Sequence, residues 1–203
     1  MKKTVIGSVL SVGCALAFAQ TNEWRFYGFV GNGFGGDTIA EGTYINTGGS
    51  WAVKTGLGLQ YKVGVDFRVA PKVTVQGSFG HQKSTTQATN GEISMTTQAL
   101  EFMGFYDLSP SVRMGGGIRT LTVAEVNATG AGSGFTGAGS YNSTPGAVVE
   151  LQYVLDETER KKGSGPGQFG ISARYVNEQL THSTNNTSGK DGSHFDLGLF
   201  LYY

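Results

Sequence analysis

Residues 194–203 read HFDLGLFLYY. Phe195, Leu197, Leu199, Leu201 and Tyr203 alternate with His194, Asp196, Gly198, Phe200 and Tyr202. A period of two marks a strand with two unlike faces. One face is wholly apolar and ends in an aromatic ring. The other mixes an acid, a glycine and aromatics. With no turn after it, such a strand must pair with strands earlier in the chain. Its apolar face must meet something apolar.

The same alternation recurs upstream. In residues 57–69, Leu57, Leu59, Tyr61, Val63, Val65, Phe67 and Val69 share one face, and Gly58, Gln60, Lys62, Gly64, Asp66 and Arg68 share the other. That run outlasts the roughly 5–6 residues of an ordinary strand. From residue 24, aromatics occur on both parities; Phe26, Gly28 and Val30 are assigned outward and Arg25 inward. Val73, Val75, Gly77 and Phe79 form the next outer face, then Leu100, Phe102, Gly104, Tyr106 and Leu108, with Glu101 and Asp107 inward. Val112, Met114, Gly116 and Ile118 follow, with Arg113 and Arg119 inward. Beyond Thr120 the apolar parity shifts to Leu121 and Val123, which predicts a β-bulge. Ala147, Val149, Leu151, Tyr153 and Leu155 face outward opposite Glu150, Gln152 and Asp156, and Phe169, Ile171, Ala173 and Tyr175 opposite Arg174 and Glu178. With the terminal run, eight strands are expected. Short turns at 70–72 and 109–111 and a charged one at 157–167 alternate with polar loops at 37–54, 83–96, 127–144 and 182–193.

The opposite end of the chain is a targeting signal by composition. Met1, Lys2 and Lys3 precede a weakly polar to apolar run, and Ala17-Phe18-Ala19 offers small residues where a signal peptidase reads them. Residues 1–19 are expected to be cleaved, leaving 20–203 as one domain that begins at Gln20. The apolar run is about 14 residues, short for a membrane-spanning helix. Cys14 lacks the preceding leucine of a lipoprotein site and leaves with the signal, so no disulfide or thiol chemistry is expected. The 33 glycines in 203 residues are about twice the ordinary share. The formal net charge is zero, and no basic stripe suits nucleic acid.

The terminal strand resembles the C-terminal signal strand of bacterial outer-membrane β-barrels, in which a terminal aromatic and alternating apolar residues meet the barrel-assembly machinery. The usual terminal Phe is Tyr203 here. Even strand number, short turns on one side and long loops on the other belong to the same class. The whole pattern resembles small barrels of the OmpA transmembrane domain, OmpX and OmpW type, without singling out one. The resemblance implies an all-β, eight-stranded antiparallel up-and-down transmembrane β-barrel in the bacterial outer membrane, with both termini periplasmic. It implies contact with outer-membrane lipids, Phe195, Leu197, Leu199, Leu201 and Tyr203 as assembly signal, a monomer, and no cofactor. The four loops would meet any extracellular ligand. A structural or surface-interactive role is expected. An OmpW-like small channel for apolar solutes is the alternative, with a lipid-modifying barrel enzyme third. A soluble sandwich or lipocalin-like fold would instead turn every apolar face inward.

The inward set holds Arg25, Lys62, Asp66, Arg68, Glu101, Asp107, Arg113, Arg119, Glu150, Arg174 and Asp196. An ion path or ligand site is one reading of such a set. A neutral salt-bridge plug is the preferred one, because an eight-stranded barrel has room for side chains and little else. Unpaired buried charges would cost several kcal/mol each. His81, His182 and His194 lie near expected loops or strand ends. None carries the His-x-Ser spacing of the lipid A deacylase type of barrel, so no enzyme and no metal site are expected. Asn127, Asn142 and Asn185 fit a glycosylation pattern but read as polar loop composition.

Overall fold

The computed structural model describes residues 24–43, 48–88, 90–130, 133–155, 168–184 and 189–203. The expected signal peptide with Cys14 and Gln20, Asp156, the turn at 157–167 and Asn185 lie outside the described residues. The strands are β1 (Trp24–Gly35), β2 (Thr38–Thr43), β3 (Ser50–Lys54), β4 (Gly58–Ala70), β5 (Val73–Ala88), β6 (Gly91–Asp107) and β7 (Val112–Gly130). They continue as β8 (Gly139–Ser143), β9 (Gly146–Val154), β10 (Gln168–Asn177), β11 (Gln179–His182), β12 (Lys190–Asp191) and β13 (His194–Tyr202).

Eight of these close into one antiparallel barrel, in the order β1-β4-β5-β6-β7-β9-β10-β13 and back to β1. Residues that face one another around it are Trp24, Phe67, Val75, Gly104, Gly116, Val149, Tyr175 and Phe195, and the circuit returns to β1 at Phe34. The ladder therefore closes with a stagger of ten residues, 34 minus 24. With a rise of about 3.3 Å per residue and strands about 4.8 Å apart, that stagger tilts each strand by about 41°. A residue then climbs about 2.5 Å along the barrel axis, and the apolar band from Trp24 to Phe34 is about 25 Å tall, the height of a bilayer's apolar layer in such barrels. Trp24, Phe26, Phe67, Tyr106, Tyr153, Phe169 and Tyr203 girdle the turn end of the band. Phe34, Tyr61, Phe79, Tyr175 and Phe195 girdle the loop end.

Burial is inverted relative to a soluble protein. Val63 is 64% exposed, whereas Asp66 and Asp196 are 0% exposed. Every barrel strand turns its apolar parity outward, including the ambiguous β1, where Phe26 and Val30 point out and Tyr27 and Phe29 point in. A soluble sandwich is excluded, because its polar set would face water. The barrel spans a membrane: its backbone groups are satisfied in a closed ladder, as hydrocarbon requires. Both ends of the barrel, Trp24 and Tyr203, lie with the short turns, the periplasmic side in outer-membrane barrels. The turn at 109–111 is held by Ser109 Oγ, which accepts from the Val112 and Ser111 N–H groups at 3.0 and 3.3 Å. Pro110 inside it suits the turn backbone.

The opposite end differs from expectation. The segments read as polar loops are largely paired strand. β5 and β6 run on as a hairpin with Lys83 facing Thr96 and Gln87 facing Glu92, so His81 lies inside a strand rather than near its end. Thr and Ser fill this extension, and threonine fits the pleated surface well. The stretch 37–54 contains the β2–β3 hairpin, β8 lies within 127–144, and β11 and β12 flank the last loop. Together they build a cap with its own apolar core of Ala40, Val53, Met95, Ala124, Val126, Tyr141 and Leu180. The bulge sits at Thr122: Gln98 faces Val123 and Ala99 faces Leu121. That extra residue turns Ala124 and Val126 inward, onto the cap core.

Candidate functional site

The register of the barrel places the inward charges opposite one another. Arg174 of β10 faces Asp196 of β13 and Glu150 of β9, Glu101 faces Arg119, and Arg25 faces Asp66. Cross-strand neighbours are the pairs that interact in a sheet. The Arg174 guanidinium meets three carboxylates: Glu101 at 2.7 Å, Glu150 at 2.9 Å and Asp196 at 3.3 Å. Glu101 also receives Arg119 at 3.1 Å and Lys62 at 3.6 Å, and Arg119 continues to Glu178 at 3.0 Å.

A second layer lies nearer the turns. Asp66 holds Arg113 at 3.0 Å and Arg25 at 3.3 Å, and accepts from Gln76 Nε2 at 2.7 Å. Gln152 joins the layers. Its Oε1 accepts from Arg113 Nε at 2.6 Å and Tyr202 Oη at 2.8 Å, while its Nε2 donates to Glu150. Ser172 Oγ donates to the same Glu150 oxygen at 2.7 Å. The chain of polar contacts thus runs from the turn end to Glu178 below the cap.

Five carboxylates, Asp66, Glu101, Glu150, Glu178 and Asp196, are buried with four cations, Lys62, Arg113, Arg119 and Arg174. The half-buried Arg25 balances them. Mutual pairing is what makes such a set tolerable away from water. Aromatic faces do part of the same work. Lys62 Nζ lies 4.3 Å from the Phe29 ring centre, and Arg113 is sandwiched by Phe105 at 4.3 Å and Tyr202 at 4.4 Å. Such contacts are worth up to about 2 kcal/mol when desolvated. Inward glycines give these rings room. A Cβ on Gly31 or Gly198 would overlap the Phe29 ring, and one on Gly115 would overlap Phe105.

Nine of the eleven expected lumen charges meet in this network: Arg25, Lys62, Asp66, Glu101, Arg113, Arg119, Glu150, Arg174 and Asp196. Arg68 and Asp107 are half-buried at the turn end, outside the fully buried set. The sequence put Phe105, Gln76, Gln152, Tyr202 and His194 on the inward parity but did not give the roles of Phe29, Phe105 and Tyr202 as platforms, of Gln76 and Gln152 as connectors, or the burial of His194. All share the inward parity, which was the available signal. The terminal residues Phe195, Leu197, Leu199, Leu201 and Tyr203 are all exposed on the outer face. Tyr203 closes the barrel by donating its N–H to the Phe26 carbonyl at 2.9 Å and accepting from the Phe26 N–H at 2.7 Å.

The three histidines are in separate places. His81 stacks on Tyr61 outside the barrel, its ring centre 5.0 Å away. His182 lies edge-on to Tyr141 in the cap at 4.9 Å. His194 is buried beside Asp196. Among the described residues no three His, Cys, Asp or Glu are grouped to hold a metal ion. In the cap, burial pushes the Tyr141 hydroxyl upward, and hydrogen bonds from Ser193 hold the Asp191 carboxyl below its ordinary value.

No family model and no curated protein matches the sequence. Solved structures similar in outline include Ail, the attachment invasion locus protein of Yersinia pestis, crystallised with the heparin analogue sucrose octasulfate. It is 10% identical, with 91% of this chain and 100% of that one covered and a TM-score of 0.46. Neisserial surface protein A is 10% identical over 90% of this chain and 98% of its own, with a TM-score of 0.48. The outer membrane protein OprG from Pseudomonas aeruginosa is 9% identical over 91% and 97%, with a TM-score of 0.40. Identity this low carries nothing about role, and the barrel assignment stands on the closed ladder and its inverted burial. In fold, the chain is similar to the small eight-stranded outer-membrane barrels.

Proposed function

We propose that this chain is an integral outer-membrane barrel with a structural and surface-presenting role, its lumen closed by an ion-paired plug. The observation that carries the reading is Arg174, which ties β6, β9 and β13 across the lumen through three carboxylates at 2.7–3.3 Å. A hydrated ion would have to part those pairs to pass. The cap core of Val53, Met95, Val126 and Leu180 lies above the same axis and gives the extracellular side a folded surface. Such a surface offers a partner less ordering cost than free loops would. The assembly role of Phe195, Leu197, Leu199, Leu201 and Tyr203 belongs to this reading: an outward apolar stripe that ends the closing strand is available to the barrel-assembly machinery before closure.

The test is conductance of the refolded barrel in a planar bilayer at high salt. The wild type should give no discrete current steps. An Arg174→Ala/Glu101→Ala double variant, which opens the centre of the network, should give small ones. Steady steps from the wild type would favour the channel alternative.

A further inference from the structure

Between the ion network and the cap, a group of buried polar atoms has no hydrogen-bond partner among the described residues: Gln60 Nε2, Lys62 Nζ, Gln82 Oε1, Thr97 Oγ1, His194 Nε2 and Asp196 Oδ1. The residues that carry them are 0–5% exposed. Buried polar groups in folded proteins nearly always have a partner, so a cluster of orphans points to a bound one.

The register brings these atoms to one space. Gln82 of β5 faces Gln60 of β4 on one side and Thr97 of β6 on the other, all on the inward parity. A Cβ on Gly33 of β1 would land on Gln82 Nε2 and beside Asp196 Oδ1, so the β5 amide and the β13 carboxylate close on the same place. Gln82 Nε2 donates to the Gly56 carbonyl at 3.0 Å, which leaves Oε1 as the open end of that amide. His194 Nδ1 lies 2.6 Å from the Gly192 carbonyl oxygen, and its Nε2 faces Asp196 Oδ1 at 3.4 Å. Lys62 sits one inward position nearer the turns than Gln60. Its Nζ is 3.6 Å from Glu101 and 4.3 Å from the Phe29 ring centre, contacts that balance its charge but leave it without a hydrogen-bond acceptor. Just below Gln82 and Thr97 the inward residues are Gly80 and Ala99, which face each other, so neither strand fills the space with a bulky side chain.

A ligand that completes this set must both donate and accept. Gln60 Nε2 and Lys62 Nζ offer hydrogens, Gln82 Oε1 and Asp196 Oδ1 offer lone pairs, and Thr97 offers both. An ion answers only one kind, and the five carboxylates and five cations of the lumen already balance. We propose that the lumen beneath the cap binds a cluster of resident waters, which links Lys62 and Gln60 to Gln82, Thr97 and Asp196. A buried water takes two to four polar partners, and this space supplies them. The turn end of the lumen does not. Its orphaned atoms Tyr27 Oη and Arg113 Nη2 lie among aromatic faces, Tyr27 against Tyr202 and Arg113 between Phe105 and Tyr202. Gln76 and Gln152 there donate their amide hydrogens to Asp66 and Glu150. The lumen is thus wet on its extracellular side and dry on its periplasmic side.

Water–protein NMR of the refolded full barrel in lipid nanodiscs, with ¹⁵N-labelled glutamine, tests this. The side-chain amides of Gln60 and Gln82 should give cross-peaks at the water shift, opposite in sign between laboratory-frame and rotating-frame spectra, the mark of a water that stays. Hydrogen exchange alone gives one sign in both. Gln76 and Gln152 should be silent. Ala99→Leu fills the space from β6 and should remove the Gln60 and Gln82 peaks while the barrel still migrates differently unheated and boiled. Silence at Gln60 or Gln82 in the wild type, or peaks of equal strength at all four glutamines, would overturn the proposal, as would peaks that persist in folded Ala99→Leu. Should that variant not fold, the contrast among the four wild-type glutamines decides. The waters lie above the Arg174 layer whether or not the lumen conducts, so this test and the conductance test fail separately.

Discussion

Replacing Arg174 with Met keeps most of the volume and removes the charge at the centre of the lumen. The structure says which partner suffers. Glu101 keeps Arg119 at 3.1 Å and Lys62 at 3.6 Å. Asp196 also loses its Arg174 contact at 3.3 Å and keeps the His194 ring nearby at 3.4 Å, an ion pair only with that ring protonated. Glu150 has Arg174 as its ion-pair partner at 2.9 Å and is left with hydrogen bonds from Gln152 and Ser172. A buried carboxylate that loses its contacting cation, with Lys62 left as the nearby positive charge, sets the cost, about 3–5 kcal/mol. Glu150→Gln alone should cost about 1–2 kcal/mol, because Arg174 still has Glu101 and Asp196. The double variant strands no charge at Glu150 and should fall short of the summed costs by about 2 kcal/mol. Reversible urea unfolding of the barrel in phospholipid vesicles, followed by fluorescence of Trp24 and Trp51, measures all four corners of the cycle. Additivity within about 0.5 kcal/mol would show that the pair does not interact as described.

Other consequences follow from the two faces and the two ends. Val63→Arg places a charge near the middle of the apolar band and should cost about 2–4 kcal/mol, whereas Lys62→Gln should cost about 1 kcal/mol, since Glu101 keeps two cations; equal effects in the same assay would reverse the assigned phase. Deleting residues 199–203 removes the Tyr203–Phe26 bonds and the turn-end half of the β1–β13 seam, and should abolish the mobility difference between unheated and boiled samples on a gel. Tyr203→Phe should leave that difference unchanged. Val53→Asp puts an unpaired acid into the cap core and should raise amide exchange throughout residues 38–54 while the barrel strands keep their protection.

The barrel was legible in the sequence because its outward positions are apolar at strict period two, and only the bilayer asks for that on the outside. Inward charges were legible for the same reason: Arg174, Glu150 and Asp196 sit on the complementary parity. Their pairing was not, since it depends on register, which no single strand carries. The cap was missed on physical grounds. Its core draws Ala40, Val53, Tyr141 and Leu180 from four short strands, each too short to show a period, and Met95 from a polar run of β6. Interior aromatics such as Tyr27 and Phe29 blurred the phase of β1, because a ring that stacks over a buried cation or glycine looks, in sequence, like one that faces lipid. His194 was weighed as a catalytic residue at a strand end, and only the fold brings Gly192 and Asp196 to its two nitrogens.

The central claim is that the apolar parity faces lipid and the charged parity faces a closed lumen. Single cysteines carrying spin labels at each of residues 195–203, in vesicles, test it through collision with oxygen, which concentrates in the bilayer. Labels at 195, 197, 199, 201 and 203 should collide strongly, greatest at 199 near mid-band, and those at 196, 198, 200 and 202 weakly. An absent or inverted alternation would contradict the transmembrane barrel itself.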